Sequence, residues 1–400
     1  MDRLTSAGPV PRELGFRMPA EWEPHEATWL AWPHERTDWP GKFDPGPWVY
    51  ADIVRHLSRV ERVNILAPNA NVIECATVML RKSGACLDAV EFFEIPTDRS
   101  WIRDYGPIFI KRAGEVAITK WLFNAWAKYD NWASDNAAGG EISKRLGLRM
   151  FEPGLVLEGG SIDVNGAGLL LTTEECLLSS EQARNPGCSR AEIETAFRDY
   201  LGVDRVLWLN RGIAGDDTHG HIDDLARFVS ADTIVTVVEN DPCEANYEAL
   251  QENLRMLNAI GGLRIVTLPM PRPVYFDGQR LPASYANFYI ANDTVLVPTF
   301  NDSCDRIALN TLAGVFPDRE VVGISCVDLV LGLGTLHCMT QQQPAAELRC
   351  RADMLRDRRG SRTGVLCAST QRSDGDCDRL RPDGLPDGIP GAPRRAQAEF

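Results

Sequence analysis

The residues able to do chemistry fall into four polar stretches: Trp101-Ile102-Arg103-Asp104, Glu158-Gly159-Gly160, His221-Ile222-Asp223 and His337-Cys338. A cysteine, a histidine and several carboxylates point to covalent catalysis by a thiol, with histidine as acid and base. Papain-like acyl transfer needs one orienting Asn or Asp, so this many carboxylates is an excess. They make sense around a thiol if the substrate is itself a cation. A guanidinium is planar and presents forked N–H donors that carboxylates match in pairs. Its carbon could then be held over the sulfur. Nearby acids should raise the thiol pKa in the empty enzyme, and a bound guanidinium or a protonated His221 would offset that. Each residue also has an inert reading: Cys338 as a small core side chain, Asp104 as a turn carboxylate paired with Arg103, and Glu158 as a strand-end carboxylate.

A metal site is the rival reading. His219-Gly220-His221-Ile222-Asp223-Asp224 resembles the start of several metallohydrolase sites, and a one-metal site could recruit His219, His221 and Asp223. The chain has 6 His in all, too few for a two-metal centre. The expectation is therefore no metal, with His219 a structural neighbour.

These stretches need elements to position them. An apolar run over residues 321–331 leads into Gly332-Leu333-Gly334, where glycines allow close approach to the cysteine. Residues 27–32 read as a strand, 33–48 as a Pro/Trp-rich loop and 49–59 as a helix. From residue 62 onward a strand, a polar motif, a hairpin and a helix recur roughly every 50–65 residues, a period that suggests a propeller or solenoid. Asn165-Gly166 marks one hairpin and Ser189 to Glu192 a helix-capping box. The segments 221–223 and 285–290 read as strands, with His221 and Asp223 on one face of the first. The last unit lacks its closing strand and helix, which the N-terminal strand and helix can supply. All motifs then leave their units at the same end and converge on one cleft. An open doubly wound α/β sheet is the alternative, and the recurring hairpins count against it.

The chain has 400 residues, 44% of them hydrophobic, enough for a large core. Its net charge of −14 argues against nucleic acid and anionic membranes as partners and suits a small cationic ligand. The 11 Cys form no CxxC pair and read as reduced thiols. With no signal-like or membrane-length apolar run, the expected location is the cytoplasm. Residues 1–14 read as a flexible leader, 15–344 as the catalytic domain and 345–400 as a disordered tail rich in Gly, Pro and Asp.

Five motifs in order carry a family resemblance: Gly15-Phe16-Arg17-Met18-Pro19, Trp101 to Pro107, Glu158-Gly159-Gly160-Ser161, His219 to Phe228, and His337-Cys338-Met339-Thr340-Gln341-Gln342-Gln343-Pro344. Together they resemble the agmatine deiminases of the guanidine-modifying superfamily. The resemblance implies a five-bladed α/β propeller around a central cleft, no cofactor, often a homo-oligomer, and hydrolysis of agmatine to N-carbamoylputrescine and ammonia. It makes Cys338 the nucleophile and His221 the general acid and base. Asp104 and Asp223 grip the guanidinium, and Glu158 and Trp101 line the site. Asp216 and Asp217 become candidates near the substrate amine. Leu333 and Thr335 depart from the Gly and Asn of many members, and the segment beyond Pro344 is atypical. Free or peptidyl arginine as substrate, a metal-dependent amidohydrolase, and an inactive polyamine binder are the alternatives. The motifs offer Arg103 alone as a cation for an α-carboxylate, and in an extended segment it points opposite to Asp104, away from the cleft, so agmatine is expected to be preferred over arginine.

Overall fold

The structure, a computed structural model, describes residues 8–347. Strands β1 (His25–Ala31), β2 (Arg62–Ala67) and β3 (Val90–Glu94) run parallel, joined by the helices Pro45–Leu57 and Ala70–Ser83. Then a simpler unit appears. Strands β4 (Ile108–Arg112) and β5 (Glu115–Thr119) form a hairpin, and β6 (Met150–Phe151) joins β5 in parallel after the helix Ala133–Leu146. The same order recurs in β7 (Asp163–Val164), β8 (Leu169–Thr173) and β9 (Arg205–Leu209), and in β10 (Ala226–Ser230), β11 (Thr233–Val238) and β12 (Arg264–Pro269). After a ribbon of β13 (Val274–Phe276) and β14 (Gln279–Leu281), it returns in β15 (Tyr289–Ile290), β16 (Thr294–Thr299) and β17 (Glu320–Ser325). Strand β18 (Gln341–Pro344) then goes back to the N-terminal sheet and pairs antiparallel with β1, Thr28 opposite Gln342. That sheet therefore also has an antiparallel pair followed by a parallel strand.

Local sequence explains the units. Crossover helices cover the sheets, so the parallel strands read as continuous apolar runs, and β11 is buried along its whole length. In the β7–β8 turn, Asn165 Oδ1 accepts from the backbone N–H groups of Ala167 and Leu169, both at 2.9 Å. The helix Arg190–Leu201 opens on the reciprocal Ser189/Glu192 capping box. The helix Pro45–Leu57 starts inside the stretch expected to be loop, because Pro45 and Pro47 suit a first helical turn.

Two hydrophobic clusters form the core. The larger includes Trp29, Ile53, Phe228, Leu312 and the pair Trp39/Trp101. The smaller gathers Ile110, Trp121 and Phe197 around Phe16 and Met18. The N-terminal residues are thus not all a loose leader. Pro11–Leu14 form a turn of 3-10 helix, and Arg12 donates to the Val203 carbonyl at 2.9 Å and to Asp204 at 2.7 Å. The expected disordered tail lies outside the described residues from 348 onward.

Three local expectations are corrected. Residues 221–223 are not a strand, since Ile222–Asp224 form a 3-10 turn capped by His221. The strand expected over 285–290 shrinks to Tyr289–Ile290, because Ser284 and Asn287 turn their side chains to Asp224 and the Cys338 loop. The β13–β14 ribbon was not foreseen, its strands being too short to show a period.

The β1–β18 pairing joins the two ends of the folded region. A chain ending after residue 347 is expected to melt like the full chain. One ending after residue 340 should lose its cooperative transition, because β1 is left as an unpaired edge. Equal melting temperatures for the two truncations, followed by circular dichroism, would contradict a structural role for the pairing.

Candidate active site

Each unit delivers a polar side chain from the segment just before its first strand. Asp104 lies on the short helix Ile102–Tyr105 before β4. Glu158 caps the 3-10 turn Gly159–Ser161 before β7. His221 and Asp223 sit on the turn before β10, and Asn287 lies just before β15. Cys338 follows the 3-10 turn Leu329–Gly332 and precedes β18. The structure brings together the residues expected to be catalytic and adds Asn287. Asn287 was missed because no reactive side chain marks it. The signal that could have found it is its place in the repeat, where every other unit carries a polar group.

Cys338 Sγ accepts from Asn287 Nδ2 at 3.1 Å and lies 3.6 Å from Asp223 Oδ2. The same Asn287 amide accepts from Thr335 Oγ1 at 2.8 Å and from the His337 backbone N–H at 3.0 Å. Asn287 thus fixes the cysteine loop and touches its sulfur. Thr335, a departure from the resembled family, has a working partner here. Leu333, the other departure, is in the left-handed region at φ 68°, a conformation that costs a non-glycine residue about 1–2 kcal/mol. Gly332 is needed for close approach: a Cβ there would lie 2.7 Å from the ring atoms of both Trp39 and Trp101.

Around the thiol, Asp104 accepts from the Gly160 backbone N–H at 3.0 Å and from Trp126 Nε1 at 2.9 Å. It does not pair with Arg103 as its inert reading required. Arg103 is buried and donates to the His337 carbonyl at 3.1 Å and to Gln342 at 2.7 Å. Glu158 Oε1 accepts from Arg184 Nε at 3.0 Å. His221 lies between two acids, its Nδ1 3.8 Å from Asp104 and its Nε2 3.6 Å from Glu158. His337 has a different role from His221. Its Nδ1 meets Asp223 at 2.7 Å and its Nε2 meets Glu21 at 2.8 Å, so the ring bridges two buried carboxyl groups.

Electrostatics follow from burial. Burial pushes the Cys338 thiol well above its ordinary value, and Asp223, Asp224 and Asp104 push it further; the Asn287 hydrogen bond opposes them. Asp104 is raised to about 6, by burial first and then by Asp223 and Glu158, with His221 opposing. For Glu158 burial acts upward, but Arg184 and His221 outweigh it and bring the carboxyl to about 2. Burial would neutralise His221, yet Asp104, Cys176 and Glu158 hold its pKa well above the ordinary value. Buried Glu158 Oε2, both ring nitrogens of His221 and Asp223 Oδ1 have no protein hydrogen-bond partner.

A cavity of about 650 Å³ opens onto Cys338, Asp104 and Trp101. Asp217 lines its far part, paired with Lys128 and accepting from Tyr129 at 2.7 Å. Asp216 does not line it. Its two oxygens accept from Thr218, Gly220 and His221 backbone N–H groups, so it shapes the loop instead. Arg103 faces away from the cavity and is held structurally, as expected, but the motifs did not show that Arg99 and Lys128 line it, paired with Asp38 and Asp217. His219 turns its Nε2 to Ser179 Oγ at 3.2 Å and does not join His221 and Asp223 in a three-ligand set.

A thiol backed by an amide, a histidine between acids and a rim of unpartnered acceptors define a cysteine-dependent enzyme site on a mixed α/β fold. The sequence profile of the Porphyromonas-type peptidyl-arginine deiminases matches residues 17–344. The chain belongs to this family. It is 38% identical over 368 residues to agmatine deiminase of Pseudomonas aeruginosa strain LESB58, covering 84% of this chain and 97% of that one. It is 34% identical over 374 residues to agmatine deiminase of Ectopseudomonas mendocina, covering 86% and 100%. Among solved structures it resembles agmatine deiminase of Enterococcus faecalis, with a TM-score of 0.80, 31% identity, and 86% and 100% of the two chains covered. It also resembles a cysteine-to-serine variant of the C. jejuni agmatine deiminase with substrate bound, with a TM-score of 0.77, 31% identity, and coverage of 82% and 96%.

Two outcomes test this geometry. Gly160 is the floor under the acids, and a Cβ there would lie 2.6 Å from His221 Nδ1 and 2.8 Å from Asp104 Oδ1. Gly160→Ala is expected to lower kcat about 100-fold, the scale of a 1 Å misplacement. Wild-type kcat in a folded variant would contradict it. Because the thiol pKa is raised, the proton leaves only at alkaline pH, so inactivation of the empty enzyme by iodoacetamide should keep rising past pH 9. Asn287→Ala, by removing the opposing hydrogen bond, should slow it further at pH 8, about tenfold for each unit of added shift. A plateau below pH 8 would show that the acids do not act on the sulfur.

Proposed function

We propose that this protein hydrolyses agmatine to N-carbamoylputrescine and ammonia through a covalent amidino-cysteine intermediate. The observation that carries the reading is the set of buried, unpartnered acceptors on Glu158 and Asp223 beside a thiol. Buried acceptors without donors are costly, and a guanidinium supplies planar, charged donors for them. The names of the relatives agree with this substrate.

The steps follow from the side chains. The guanidinium occupies the space between Asp104, Glu158, Asp223 and His221, its carbon facing Cys338 Sγ. Its positive charge offsets the acids that hold the thiol protonated, so the sulfur ionises as substrate binds and its proton passes to solvent. The thiolate attacks the carbon, and protonated His221 gives its proton to the departing nitrogen, which leaves as ammonia. Neutral His221 then takes a proton from water, which attacks the same carbon. The carbon–sulfur bond breaks and the ureido product forms. The acids keep His221 protonated at neutral pH, the state the first step needs.

The remaining features belong to the same reading. The five sheets with one order are arranged as a five-bladed propeller, closed by β1 and β18 around the cavity. Residues 15–344 are the catalytic domain. The enzyme works in the cytoplasm, without a cofactor, on a small cationic substrate, as a homo-oligomer. Among the described residues, no helix is long and apolar enough to cross a membrane. The far cavity keeps the preference for agmatine even though two cations line it. Arg99 and Lys128 are each engaged by an acid, while Asp277 lines the same wall. An added α-carboxylate would have to break one of these pairs.

Ammonia release and ureido product are to be measured with agmatine, free arginine and an arginine peptide. Agmatine is expected to have the highest kcat/KM, by at least 100-fold, the effect of about 3 kcal/mol for an uncompensated charge. Cys338→Ala should abolish turnover. Full ammonia release by that variant would sink the covalent mechanism, and comparable constants for arginine would overturn the substrate choice.

A further inference from the structure

One buried thiol takes no step in the chemistry above. Cys176, on the short helix Glu174–Leu178, is 1% exposed. It points at the two site residues whose atoms lack partners. Ligand atoms of Glu158, Cys176 and His221 all lie within 4.8 Å of one another. His221 Nε2 and Glu158 Oε2, both buried and without a hydrogen-bond partner, are 3.6 Å apart. Two donors on one tetrahedral zinc ion stand about 3.3–3.7 Å apart, given metal–ligand distances of 2.0–2.3 Å. That pair already has the spacing, and the thiol closes the third side with a small movement.

We propose that Glu158, Cys176 and His221 form a binding site for a borderline-soft divalent cation, Zn²⁺ above all, and that its occupancy reversibly inhibits the enzyme. The donor chemistry selects the ion. Thiolate with imidazole and one carboxylate suits Zn²⁺, whereas Mg²⁺ and Ca²⁺ take oxygen ligands. Cys176 binds as thiolate and His221 as neutral imidazole through Nε2, each releasing one proton to solvent. The two anionic ligands balance the ion's charge. Arg184 opposes the ion with its own charge, but it is held by Glu158 Oε1 and by the Gln182 and Thr218 carbonyls. Glu158 Oε2 therefore stays free to bind. A fourth position is left for water.

The consequence for activity rests on the deiminase reading. The ion occupies Nε2 of His221, the ring that carries the proton, and the Glu158 oxygen that would receive the guanidinium. It is therefore an inhibitor competitive with agmatine, and a chelator restores activity. The nucleophile Cys338 is not one of its ligands. This separates the site from simple capture of a metal by the catalytic thiol.

The test uses metal-stripped full-length protein and Co²⁺ as a spectroscopic stand-in for Zn²⁺. In Cys338→Ala, Co²⁺ is expected to give sulfur-to-cobalt charge transfer in the near ultraviolet and tetrahedral visible bands, saturating at one equivalent. Adding Cys176→Ser, which keeps the side-chain size, should remove both. Charge transfer that survives without Cys176, or no saturating band in Cys338→Ala, would overturn the site. In the otherwise unmodified enzyme, Zn²⁺ should raise the apparent KM for agmatine and EDTA should reverse the effect. Its inhibition constant should be at least tenfold weaker in Cys176→Ser. Equal inhibition of the two proteins would overturn the inhibitory role. The cobalt bands report the site even if no ammonia is released from agmatine, so failure of the deiminase reading is seen separately.

Discussion

The site depends on keeping negative charge buried next to a sulfur. Asp104, Glu158, Asp223 and Asp224 are all at most 4% exposed. Ionised carboxylates in such surroundings are tolerated only when cations and donors face them. The structure supplies these through a chain of ion pairs running away from the thiol. Asp223 meets the His337 ring, which meets Glu21, which meets Arg227 at 2.8 Å, which meets Asp163 at 2.9 Å. For Glu21 burial acts upward, but Arg227, His337 and Arg103 outweigh it and hold its carboxyl well below the usual range. Asp224 has no such cation. Burial and the charge on Asp223 raise its carboxyl, and the neutral Asn287 amide is its side-chain partner. The gradient from paired to unpaired acids is what makes the centre receptive to a cation.

This chain of charges also ties together distant parts of the sequence. Glu21 comes from the N-terminal segment, Arg103 from the first polar motif, Arg227 from β10 and His337 from the cysteine loop. Each lies at the start of a unit or between units, and none could be satisfied within its own sheet. The motifs therefore hold one another in place through buried ion pairs, while the hydrophobic clusters hold the sheets. Breaking one pair leaves an uncompensated buried charge, which typically costs about 3–5 kcal/mol. The network therefore fixes positions more than it adds net stability.

The far end of the cavity follows a different logic. Its charges come as pairs, the buried Asp38 with Arg99 and Asp217 with the exposed Lys128. Arg99 also stacks on Tyr129, 4.4 Å from the ring centroid. Burial raises the Asp38 carboxyl to about 6, and Arg99 opposes the shift. Paired walls of this kind discriminate by what would have to be broken, whereas the acids at the thiol discriminate by what they lack.

The sequence by itself determined most of the units and the reactive groups. Apolar runs, the Asn165 turn and the Ser189 capping box are local signals, and the strands and helices appear where those signals lie. Cys338, His221, Asp104, Asp223 and Glu158 were legible because each sits beside glycine or a turn in a recurring polar stretch. Only the tertiary structure decided which of these groups touch. It bent 221–223 into a 3-10 turn where alternation suggested a strand. It turned Asp216 into the loop backbone, and it brought Arg99 and Lys128 to the cavity. It also revealed Asn287, whose amide acts by meeting a sulfur 51 positions away in the chain. The physical reason is range. Hydrophobic period and turn chemistry act over a few residues, whereas burial, hydrogen-bond partners and the field at a thiol are set by segments that meet only when the units pack.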